Sequence, residues 1–100
     1  MYVKVSPSLQ VSLEDEADCK AFKVLVYAKD RQAIAAALAH VGMNMDGEYC
    51  WVPRQWLIEN SRMAGHLDWQ KAFAAMLAYA KSKSWTNELT GAVRAHIEWN

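Results

Sequence analysis

Net charge is what this sequence most lacks: eleven Lys and Arg stand against eleven Asp and Glu in 100 residues. A nucleic-acid binder needs a basic stripe that displaces counterions, and a membrane-surface protein needs a polybasic segment. Neither surplus exists, so no nucleic-acid and no membrane partner is expected. Arg62, Lys71, Lys81 and Lys83 are too well balanced by acids to change that. Long apolar runs are missing too. The longest, such as residues 33–39, fall far short of the roughly 20 residues that span a bilayer. Residues 1–10 hold no apolar stretch of the secretory-leader kind, and no leader is expected. Cysteine occurs only as Cys19 and Cys50, with no Cys-x-x-Cys pair, so no disulfide framework is available and a cytoplasmic location is expected. Glycine (four) and proline (two) are sparse and fall singly, as punctuation. With no repeat, linker or low-complexity run, residues 1–100 read as a single globular domain. A chain of this length buries roughly two thirds of its unfolded surface and folds without a metal or disulfide staple.

What the sequence has in excess is tryptophan: five, beside two Phe. Its other pattern is alternation. Val3, Val5, Leu9, Val11 and Leu13 share one parity, and Lys4, Ser6, Ser8, Gln10, Ser12 and Glu14 the other, as in a half-buried strand. Pro7 donates no ladder hydrogen bond and implies an edge strand or a break near Ser6. Glu14, Asp15, Glu16 and Asp18 then read as a solvated acidic turn. Residues 20–28 form a second strand, apolar on both faces and so expected at the centre of the sheet. Asp30 is an N-cap for a helix over residues 31–41, with Ile34, Leu38 and Val41 on one stripe and Gly42 closing it. Asp46-Gly47 is hairpin chemistry between residues 43–45 and 48–52. Pro53 opens a helix over residues 54–64, since its missing amide costs nothing at the first position. A third helix starts after Asp68 and runs to about Lys83, with Trp69, Phe73, Met76 and Ala80 on one stripe. In the last strand Val93, Ala95, Ile97 and Trp99 face one way and Arg94, His96 and Glu98 the other. The expected fold is α+β, a mainly antiparallel sheet of about four to five strands with three helices packed on one face.

Arg94, His96 and Glu98 form the sharpest polar constellation. On one strand face, such neighbours lie about 6.5–7 Å apart. An imidazole between a guanidinium and a carboxylate is suited to acid/base work, with Arg94 steadying a developing anion. A solvated sheet face has the same pattern, and nothing covers this face if every helix packs opposite it. Cys19, Cys50 and the three histidines lack ligand spacing, so no metal is expected. His66 reads as a capping or surface residue. Asn44-x-Asp46-Gly47 begins like a calcium loop, but the position needing an acid is Pro53. No Gly-x-Ser-x-Gly elbow and no Gly-rich phosphate loop is present, and no cofactor is expected.

Periodicity assigns Trp69 and Trp99 to the core. Trp51, Trp56 and Trp85 lie near element ends, with Tyr49 and Met63 as neighbours, and are candidates for a groove or interface. The leading expectation is a non-enzymatic binding or assembly module, a homodimer, that uses this aromatic-rich surface for a protein partner or a small apolar ligand. The alternative is a small cofactor-free enzyme (isomerase, lyase or hydrolase) with His96 as acid/base, which requires the face bearing His96 to line a concave pocket.

Overall fold

The structure, a computed structural model, describes residues 1–100 and is α+β, with one seven-stranded mixed sheet and three helices. Along the chain run β1 (Tyr2–Val5), β2 (Val11–Glu14), β3 (Lys23–Val26), α1 (Arg31–His40), β4 (Asn44–Asp46), β5 (Tyr49–Pro53), α2 (Arg54–Asn60), α3 (Leu67–Ser82), β6 (Thr86–Asn87) and β7 (Ala92–Trp99). The strand order is β2-β1-β3-β7-β5-β4, with β6 added beside β7. No helix is long and apolar enough to cross a membrane.

Two parts of the expected fold are corrected. The sheet has more than five strands, and it is mixed: β1–β3 and β3–β7 are parallel, while β1–β2, β4–β5, β5–β7 and β6–β7 are antiparallel. Alternation reports which face a side chain takes and says nothing about the direction of the neighbouring strand. Pro7 marks a break rather than an edge, so the first segment becomes the β1–β2 hairpin, with Val5 opposite Val11 and Val3 opposite Leu13. β3 does lie centrally, between β1 and β7.

Local chemistry explains the element ends. The Asp30 carboxylate accepts the amides of Gln32 (3.0 Å) and Ala33 (3.3 Å) and starts α1, which buries Ile34 and Leu38. The β4–β5 hairpin closes Asp46 against Tyr49 over Gly47-Glu48, one residue later than expected. Gly47 has φ +62° at the first loop position, as a type II′ turn requires. α2 stops at Asn60, four residues before its expected end. There the Asn60 side chain donates to the Trp56 carbonyl (2.9 Å), Ser61 turns extended, and its hydroxyl accepts the Met63 amide (3.1 Å). Such side-chain bonds give the backbone an alternative to another helical turn.

The core lies on one face of the sheet. Val3, Val5, Leu13, Val24, Val26, Cys50, Val52, Ala95 and Ile97 pack with Ile34 and Leu38 of α1, Leu57 of α2, and Trp69 and Phe73 of α3. Trp69 and Phe73, one helical turn apart, stack with ring centroids 4.7 Å apart. Trp99 is only half-buried, against expectation. At the end of β7, its indole N–H donates to the Glu48 carboxylate (2.8 Å) and the Arg31 guanidinium lies 4.4 Å above its ring. The indole bond first, and Arg31 second, hold the Glu48 carboxyl below its usual range.

Candidate functional site

The one large concavity arises from how β7 is paired. Five of its eight residues, Ala92 to His96, meet β5 along one edge. The other edge is shared: β6 pairs with Ala92 and Val93, and β3 pairs from His96 to Trp99. Between them the edge has no strand at Arg94 and Ala95, where the Arg94 amide donates to the Trp85 carbonyl (2.7 Å). The chain leading into β6 is α3 and Trp85; the chain leading into β3 is the 15–22 segment. These two lead-ins diverge around the notch and leave a groove of about 890 Å³. That falls within the size range of small-molecule sites, roughly 300–1,000 Å³.

Three elements wall the groove. α3 supplies Ala72, Ala75, Met76, Tyr79 and Ala80, and Trp85 follows it. The segment before β3 supplies Ala17, Asp18, Cys19, Lys20 and Phe22, while Tyr49, Val93, Arg94 and His96 come from the sheet. Small alanines keep the helix wall shallow, and the aromatic rings give it flat apolar surface. Tyr79 and Trp85 meet edge to face at 5.9 Å between centroids.

The 15–22 wall is firmly held. Glu16, expected in a solvated turn, is 7% exposed. Its carbonyl accepts the Trp69 indole N–H (2.7 Å), and its carboxylate takes the Arg62 guanidinium (3.0 Å). The Met1 amino group donates to the carbonyls of Asp18 and Ala21. Cys19 is half-buried here, and burial pushes its thiol up, so it reacts more slowly than a free thiol while staying accessible. Cys50, fully buried in the sheet, is pushed up by burial to about 12.

Four of the lining residues are polar: Asp18, Lys20, Arg94 and His96. Arg94, Tyr49 and His96 form one cluster. The Arg94 guanidinium stacks 4.3 Å above the Tyr49 ring, and His96 meets the same ring edge-on at 5.6 Å. No three His, Cys, Asp or Glu side chains come together.

Searches against family models, curated proteins and solved structures find no match.

The candidates from the sequence divide. The structure brings Arg94 and His96 together with Tyr49 and Trp85 in the groove. The face they share is not bare, contrary to the expectation that all helices pack opposite it: α3 sends Trp69 and Phe73 into the core and lines the groove with its next turns. Glu98 lies elsewhere, bound to Lys23 at 2.9 Å. Trp56 and Met63 pack half-buried against the core. Trp51 edges a separate shallow hollow with Asn44, Asn87 and Thr90. Sequence reasoning missed the α3 wall and Cys19, Lys20 and Phe22. The spacing Ala72, Ala75, Met76, Tyr79 was a readable signal, a second stripe beside the Trp69–Phe73 stripe on the same helix.

Proposed function

We propose that this chain is a non-enzymatic small-molecule-binding module whose ligand lies in the groove between α3, the 15–22 segment and β7. The observation that carries the reading is the groove itself: of its fifteen lining residues eleven are hydrophobic, four of them aromatic, and two of its four polar residues, Arg94 and His96, lie against the Tyr49 ring. That is the composition of sites that bury an apolar body and orient it with a few polar contacts. The free thiols of Cys19 and Cys50 fit a reducing cytoplasm.

The acid/base alternative has one feature in its favour, the position of His96 in a concavity. Its weakness is orientation. The His96 ring has no hydrogen-bond partner, and Glu98, which was to assist it, is held by Lys23. A catalytic imidazole is ordinarily aimed by such a partner.

Titration with N-phenyl-1-naphthylamine, a neutral dye that brightens out of water, tests the reading. Saturable binding of one dye per chain is expected, lost in Ala75→Trp, where an indole fills the groove from an exposed helix position, and kept in Trp56→Phe. Absence of saturable binding, or equal binding by Ala75→Trp, would contradict it.

A further inference from the structure

We infer that the ligand of this groove is an amphipathic carboxylate: a flat apolar body lying against Phe22, Tyr79 and Trp85, with its anionic head on Arg94. This rests on the small-molecule reading above and adds the chemical class of the ligand.

The chain has four arginines. Arg31 pairs with Glu48 at 2.9 Å, Arg62 pairs with Glu16 at 3.0 Å, and Arg54 donates to the Gly91 carbonyl at 2.9 Å. Arg94 is the exception. Its guanidinium reaches no carboxylate and donates to no protein acceptor, and it is the one arginine that lines the groove. A half-buried guanidinium keeps five N–H donors in a fixed planar fork, which matches the two oxygens of a carboxylate. The Tyr49 ring at 4.3 Å holds that fork in place, so little freedom is left to lose on binding.

The other polar groups agree. Asp18, the one acid in the lining, has an oxygen occupied by the Lys20 amide at 3.0 Å. Lys20 and His96 add donors. Lys20 and Arg94 against the single acid Asp18 give the lining an excess of positive charge, and a neutral or cationic head would leave Arg94 without an anionic partner. The aromatic walls decide the body: flat rings pack on Phe22, Tyr79 and Trp85 by stacked or edge-on contact.

The test compares 2-naphthoate with 2-naphthalenemethanol, the same ring system carrying an acid or an alcohol. Affinity is read by calorimetry, and occupancy of the groove by the slowing of maleimide labelling at Cys19, since Cys50 is buried. The acid is expected to bind roughly tenfold or more tightly than the alcohol, as a charge-assisted bidentate pair adds to the shared ring contact. Arg94→Gln should abolish that preference, chiefly by weakening binding of the acid, while Arg94→Lys, which keeps the charge and loses the fork, should keep only part of it. Equal affinities for the two probes, or a full preference surviving in Arg94→Gln, would overturn the carboxylate assignment and leave the groove reading standing. Failure of both probes to bind or to protect Cys19 would overturn both.

Discussion

Cys50 shows what complete burial does to one side chain. Its thiol is surrounded by Ala95 and the core of the sheet, and it behaves as a small apolar group. The unfolded thiol ionises near its ordinary value of 9.0, whereas the folded one keeps its proton to about 12. Between those values the folded state holds more protons than the unfolded state. Stability from this group is therefore complete below pH 9 and falls as pH rises, by about 1.4 kcal/mol per pH unit. Urea denaturation across the alkaline range should show this slope in the native chain and a shallower one in Cys50→Ala; parallel slopes would mean that Cys50 does not carry it. The tryptophans make a related point. Trp69 is core, Trp99 half-buried and Trp85 on the groove, although all three are the same residue type in one short domain. What separates them is the partner of the indole N–H or ring: the Glu16 carbonyl for Trp69, Glu48 for Trp99, Tyr79 for Trp85.

Among the elements, α1 was the most legible in the sequence, because its cap and its stripe are local. Asp30 and the Ile34–Leu38 spacing specify it without reference to the rest of the chain. Asp30→Ala should cost about 0.5–2 kcal/mol of folding stability by loss of the capping bonds. A denaturant midpoint unchanged from the native chain would show that the cap contributes nothing. β7 was legible for the same reason, since its alternation is uninterrupted from Val93 to Ile97. β6 was not: two residues carry no period, and only the pairing of Thr86 with Val93 makes them a strand. α3 was half legible. Its Trp69 and Phe73 stripe pointed to the core, but a helix with one apolar stripe in the core and small and aromatic residues beside it has two jobs. Ala75→Trp addresses the second job alone: an exposed helix position tolerates substitution within about 0.5 kcal/mol. Loss of dye binding with an unchanged melting temperature is expected, whereas a large drop in melting temperature would place Ala75 in the fold's support instead.

At the scale of the molecule, the groove is a product of topology. Arg94 and His96 could be assigned to one strand face from their spacing, but no local pattern says that β3 and β6 share an edge of β7. That arrangement depends on Lys23 meeting His96 and on Thr86 meeting Val93, pairings across 73 and 7 residues respectively. It brings Phe22 and Trp85, far apart in sequence, to opposite sides of one notch. For this reason the sequence could nominate Trp51, Trp56 and Trp85 equally, and only the assembled sheet separates Trp85 from the other two. The five indole N–H resonances report on that separation one by one, and they provide the most direct test of the central claim. With 2-naphthoate at saturation, the Trp85 resonance is expected to shift most, with Trp51 and Trp56 nearly unmoved. Shifts centred on Trp51 or Trp56 with Trp85 unchanged would contradict the account.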